Sequence, residues 1–160
     1  MREERIISMT PRRWKRLIRQ LADRGEGKRE SGAFLLARPG RRGHRVVDWI
    51  LFDDLDPNSL NGAVSIRGEA FSHLWAICRE RGVKVIADIH THPARGVSQS
   101  SIDQANPMVA RRGHVGLIVP SFAHGRVRPR DIGFHVYRGD RSWDAFHGEA
   151  AAERLRLTWL

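Results

Sequence analysis

Apolar residues recur along this 160-residue chain with two periods, one near 3.6 and one near 2. Trp14, Leu17, Ile18 and Leu21 fall at helical spacing. Thr10-Pro11 supplies an N-cap and a proline suited to the first helical position. Residues 11–23 are therefore predicted to form an amphipathic helix with a basic outer side, ended at Arg24-Gly25-Glu26-Gly27. Residues 5–8 suit a short strand. Residues 33–38 and 45–53 read as strands joined through Pro39-Gly40-Arg41-Arg42-Gly43. Leu55 to Ser65 is polar and rich in turn residues, including Asp56-Pro57-Asn58 and Asn61-Gly62. Phe71, Leu74, Trp75 and Cys78 mark a second amphipathic helix ending at Arg81-Gly82.

Val83-Lys84-Val85-Ile86-Ala87 is apolar and β-branched and reads as a buried strand running into Ile89-His90-Thr91-His92-Pro93. Asp103 to Arg112 reads as helical with an interruption at Asn106-Pro107. Residues 114–120 and 132–138 are predicted strands, Ser121 to Arg130 is a basic loop, and residues 142–157 are expected to close the chain as a helix carrying Trp143, Phe146, Leu155 and Leu157. Strands alternating with helices predict an α/β class, and the length suits a single domain spanning 1–160.

Composition narrows the function classes only a little. No segment approaches the length of a membrane span, and Met1-Arg2-Glu3-Glu4-Arg5 lacks the apolar run of a secretory signal, so the expected location is the cytoplasm and no membrane partner is expected. Cys78 is the only cysteine, which excludes an internal disulfide and a thiolate-rich metal site; its place on the apolar side of a helix predicts a core role. The formal charge of +10 favours acidic surfaces, nucleic acid among them. Scattered arginines fit a general compositional bias equally well, and no nucleic-acid-binding motif accompanies them.

The candidate chemistry lies at the end of the central strand. His90 and His92 share a strand face, and Pro93 cannot continue the ladder. Two imidazoles leaving a rigid strand side by side suit a divalent metal, and a catalytic zinc site takes three protein ligands. Asp103 is the candidate third ligand, three residues after Ser100 and on the same face of a helical turn. Asp88 shares the parity of the histidines and stands as a rival ligand or as an acceptor behind them. His44, His73, His114, His124, His135 and His147 show no ligand spacing. Of the nearby serines 98, 100 and 101, Ser100 alone has the x-x-Asp spacing, which equally suits an N-cap.

His90-Thr91-His92-Pro93, a six-residue loop, and Ser100-Ser101-Ile102-Asp103 together resemble the signature of the JAMM metalloproteases, also called the MPN+ or JAB domain. The resemblance extends from about Met9 to about Arg138. It implies a curved mixed sheet flanked by helices, Zn2+ held by His90, His92 and Asp103, a general base at Glu30 ahead of the strand Ser31-Gly32-Ala33-Phe34-Leu35-Leu36, and an oxyanion-stabilising hydroxyl at Ser100. On the residues alone, Glu26 and Glu69 compete with Glu30. The implied activity is hydrolysis of the amide bond after the C-terminus of ubiquitin or a bacterial ubiquitin-like protein. Ubiquitin-activating and ubiquitin-conjugating homologues are then the expected associates. Cleavage of sulfur-carrier protein tails or small peptides is the alternative within the same chemistry. A non-catalytic scaffold with a basic partner-binding or nucleic-acid-binding surface is the alternative outside it. The segment Leu55 to Ser65 is short where ubiquitin-cleaving members carry an insertion.

Overall fold

The computed structural model describes residues 5–61 and 64–159, so the reading of Met1 to Glu4 and the Gly62 half of the Asn61-Gly62 turn lie outside the described residues. Helix α1 (Pro11–Gly25) begins as its sequence dictates, with Thr10 Oγ1 accepting from Arg13 N at 3.1 Å and Pro11 in the first turn. Glu26 closes it in the left-handed conformation, φ 54°. Strands β2 (Gly32–Ala37) and β3 (Val46–Leu51) form the expected hairpin, and the short helix α2 (Phe52–Leu55) follows directly. Helix α3 (Gly68–Arg81) ends at Gly82 in the left-handed region, φ 64°, where a Cβ would be strained. It leads into β4 (Lys84–Thr91), β5 (Val115–Val119) and β6 (Gly133–Gly139).

These strands, with β7 (Ser142–Phe146), make one mixed six-stranded sheet in the order β3-β2-β4-β5-β6-β7. Only β4 and β5 run parallel among its neighbours. Period-2 alternation then divides its two faces. Ala87, Ile89, Val115, Leu117, Phe134 and Val136 point to one side and bury against Trp14, Leu17, Ile18 and Leu21 of α1. On the other side, Phe34, Leu36 and Ile50 pack with Phe52 and with Ala70, Leu74 and Cys78 of α3. Burial pushes the Cys78 thiol up from its ordinary value, as suits a core residue. Helix α3 reaches across that face to the first residues of β4, where Val85 packs against its cluster, and leaves the far end of β4 uncovered. Over β4 and β5 the same face carries Asp88, His90, Gly116 and Ile118, and it lines a cleft.

Two predicted elements are corrected. Residues 142–157 are not one helix: they form β7, a short helix α5 (Glu149–Arg154) and β8 (Leu155–Leu157), which pairs in parallel with β1 (Ile7–Met9). The residues Gly139-Asp140-Arg141-Ser142 turn the chain with Asp140 at φ 49° and Arg141 at φ 61°, the double left-handed geometry of a tight hairpin, so Trp143 pairs with Tyr137 across β6–β7. Between 103 and 112 the helix is restricted to α4 (Ser101–Ala105), because Pro107 drives Asn106 out of helical geometry, to φ −129°. Among the described residues no helix is long and apolar enough to cross a membrane.

Candidate metal centre

Strand β4 delivers His90 at its end, 9% exposed, and His92 one step beyond. His92 is fixed on both sides of its α-carbon: its backbone N donates to Val119 O at 2.9 Å, and its carbonyl accepts from Phe122 N at 2.8 Å. Phe122 sits in a left-handed turn in which Ser121, Phe122 and Ala123 all have φ between 53° and 61°, a conformation disfavoured for residues with side chains. Across the cleft, Ser100 caps α4. Ser100 Oγ accepts from Asp103 N at 3.0 Å, and Ser100 N donates to Asp103 Oδ2 at 3.1 Å. The spacing that marked Ser100 and Asp103 in the sequence is thus a complete capping box, and it aims the Asp103 carboxylate at the histidines.

The three candidate ligands come together. His90 Nε2 lies 3.2 Å from His92 Nε2, and Asp103 Oδ2 lies 3.1 Å from His92 Nε2 and 3.5 Å from His90 Nε2. For bonds of 2.0–2.1 Å in tetrahedral geometry, ligand atoms are separated by about 3.3 Å. The observed triangle has that size. The donor set, two imidazole nitrogens and a carboxylate oxygen, also suits zinc. The electrostatics agree. Burial opposes protonation of His90, yet the carboxylates of Asp103, Asp88 and Glu30 outweigh it and hold its pKa above the ordinary value. Burial likewise opposes ionisation of Asp103, but both histidines and the Ser100 N–H hold its carboxyl far below the usual range. A cavity that favours a proton on His90 favours a divalent cation for the same reason.

Glu30 lines the same cleft, half-buried, two residues ahead of β2. What holds it there is a clamp between β2 and β4. Thr91 Oγ1 accepts from Ser31 N at 3.0 Å, Thr91 N donates to Ser31 O at 2.9 Å, and Ser31 Oγ donates to Leu21 O of α1 at 2.7 Å. Gly32 permits the approach, since a Cβ there would fall 2.6 Å from Ile89 O and closer still to the Phe52 ring. Glu26 and Glu69 do not line the cleft.

Asp88 is not a fourth member of the ligand cluster. It is 4% exposed and accepts from His114 Nε2 at 2.7 Å, a buried pair under the cleft floor. His114, unremarkable by spacing, is therefore the partner of the third polar residue on the β4 face. His135 is a second such residue: its Nε2–H donates to Val97 O at 2.9 Å and anchors the loop between His92 and Ser100. Gly133 leaves room for that loop, where a Cβ would strike Val97 O. Burial lowers the His135 pKa, helped by the charges of His147 and His90 and opposed by the bond to Val97. These pairs span 26 and 38 residues, and no local spacing announces them.

The cleft has a volume of about 740 Å³ and also takes in Val64, Ile102, Met108, Phe122 and Trp143. No protein-family model matches the chain. A protein of Desulfitobacterium hafniense, known from its solution structure, superposes with a TM-score of 0.66 over 96% of this chain and 93% of its own, at 15% identity. A Salinibacter ruber protein superposes at 0.58 over 88% of each chain, at 18% identity. Both likenesses concern the fold alone. A JAB1/MPN domain protein from Archaeoglobus fulgidus matches over 92% of this chain and 93% of its own at 13% identity, but its TM-score of 0.42 carries no argument.

Proposed function

We propose that the chain is a zinc-dependent peptidase of the JAMM type, acting on the amide bond that follows the C-terminal tail of a ubiquitin-like protein. The observation that carries this reading is the triangle of His90 Nε2, His92 Nε2 and Asp103 Oδ2, sized for a tetrahedral ion and open to a cleft that also holds a carboxylate outside the triangle. Bound there, zinc would supply Lewis acidity toward a carbonyl and lower the pKa of a water toward about 7.

The chain's own groups supply the rest. Glu30 takes a proton from the attacking water as its oxygen adds to the carbonyl carbon, and returns that proton to the nitrogen as the C–N bond breaks, so the products are a carboxylic acid and an amine, which exchange the remaining proton to leave as carboxylate and ammonium. Ser100 Oγ already accepts from Asp103 N, which leaves its hydrogen to donate to the carbonyl oxygen as negative charge develops. Ile102, 62% exposed, with Val64 and Met108 beside it, offers an apolar wall to the side chains of an extended tail. Ubiquitin-activating and ubiquitin-conjugating homologues are the partners such an activity would serve.

Elemental analysis and a cleavage assay on ubiquitin-like fusions test this. About one zinc per chain is expected, lost in His90→Ala/His92→Ala. Glu30→Gln should keep the metal and lose about 10²–10⁴-fold in kcat, the usual contribution of a positioned general base. A Glu30→Gln protein with undiminished cleavage would remove Glu30 from its role, and a chain that takes up no zinc would end the peptidase reading.

A further inference from the structure

The net charge of +10 is not spread evenly over the surface. Two adjoining clefts at the opposite end of the sheet, about 650 and 560 Å³, share Arg5, Ile6, Gly43, His44 and Lys84 between them and form one groove. Arg41, Arg79, Lys84, Arg111, Arg112 and Arg156 line it, all exposed. Among the described residues no aspartate or glutamate lines either cleft, whereas the metal cleft contains Glu30, Asp88 and Asp103. Several arginines elsewhere are matched: Arg24 bonds Asp53 and Asp54, Arg67 bonds Asp56, Arg81 bonds Asp48, and Arg138 bonds Asp144, whereas Arg12 and Arg19 on the exposed side of α1 have no ion pair among the described residues but do not line a cleft. None of these six exposed cations has an ion pair among the described residues.

An aromatic ring completes the arrangement. Trp75 lines the groove beside Arg79, 38% exposed, which is unusual for so large an apolar side chain. A row of unmatched cations along a groove is the footprint of a phosphate backbone, and an exposed aromatic set among them is a platform on which a base stacks. The two joined clefts form a continuous channel that suits an extended strand. We infer that this groove binds single-stranded nucleic acid, with Arg79, Lys84 and Arg111 on phosphates and Trp75 stacked on a base. Lys84 of the groove and His90 of the candidate ligand cluster lie on the same strand, separated by ~20 Å at ~3.3 Å per residue. The inference does not rest on the peptidase reading, and either can fail without the other.

Fluorescence anisotropy of labelled oligouridine and oligodeoxythymidine, titrated with the full chain, tests it. With these three cations on phosphates, affinity for a single strand should fall about twentyfold between ~50 and ~200 mM salt. Arg79→Glu/Arg111→Glu should weaken binding at least tenfold and flatten the salt dependence. Trp75→Ala should weaken it about fivefold or more and leave the salt slope in place, since stacking releases no counterions. Arg12→Glu/Arg19→Glu, an equal charge change on the exposed side of α1, should leave affinity within about twofold. All these side chains except the Trp75 ring project freely into solvent, and circular dichroism of each variant checks the fold. The two oligomers distinguish RNA from DNA. Equal loss from the α1 pair, absence of binding at low salt, or binding of polyglutamate in place of the oligomers would each overturn the inference.

Discussion

Asp88 and His114 show how one residue's environment decides its role. Asp88 has the strand parity of His90 and His92, yet its carboxylate is taken up by His114 at 2.7 Å beneath the cleft. There it acts on His90 through space, favouring a positive charge in the ligand cavity. Removing one partner of a buried pair leaves the other charged and dry, at a cost of about 3–5 kcal/mol. His114→Leu should therefore lower the unfolding free energy by about that amount in denaturant titration. Asp88→Leu/His114→Leu should recover much of the loss, because no charge is then left unpaired. If the double variant is as unstable as the single one, the cost lies in packing around His114 and not in the charge of Asp88.

At the scale of elements, the decisive piece is the loop from Pro93 to Gln99, which carries Ser100 and Asp103 to the histidines. A side-chain hydrogen bond from the sheet to this loop, His135 Nε2–H to Val97 O, makes His135 a positioning residue for α4. His135→Phe keeps the ring and removes the donor. Zinc affinity, measured by competition with a chelating dye, should fall about tenfold, the lower end of what outer partners of metal ligands contribute. Acid stability offers a second readout. Burial holds the His135 pKa below its ordinary value, so the unfolded chain binds the proton first. Its contribution to stability is complete above a pH of about 6.5 and is lost as pH falls from there through the folded pKa. His135→Phe should lack that part of the acid slope. A merely structural role would lower stability equally at every pH.

The same scale shows what the sequence could and could not reveal. Strong local signals were readable: Thr10-Pro11 and the Trp14-to-Leu21 stripe for α1, the apolar runs of β2, β4 and β5, and the His-x-His parity with the Ser-x-x-Asp cap. The end of the chain was not. Trp143 and Phe146 are three apart, a spacing that suits a helix face, while the hairpin that makes them a strand turns on Asp140-Arg141 without the usual glycine at the second position. The clamp of Ser31 on Thr91 and the pairs Asp88–His114 and Val97–His135 were equally hidden, because they are made across the sheet between distant positions.

For the whole molecule, the candidate ligands come from two elements with little else in common. His90 and His92 belong to the buried sheet, whereas α4 is a five-residue helix without a buried residue. An ion shared between them would tie a weakly held segment to the core, and anything that binds the native state alone stabilises it. At a free zinc concentration a hundredfold above Kd the gain is about 2.7 kcal/mol. At about 2–4 °C per kcal/mol for a chain of this size, Tm should rise by about 5–11 °C in scanning calorimetry. Glu30→Gln should show the full shift, because Glu30 stands outside the ligand triangle, and His90→Ala/His92→Ala should show none. Arg79→Glu/Arg111→Glu should also keep it, since sites ~20 Å apart with no shared partner contribute independently. Loss of the zinc shift in Glu30→Gln would make that carboxylate a ligand and leave the cleft without its general base.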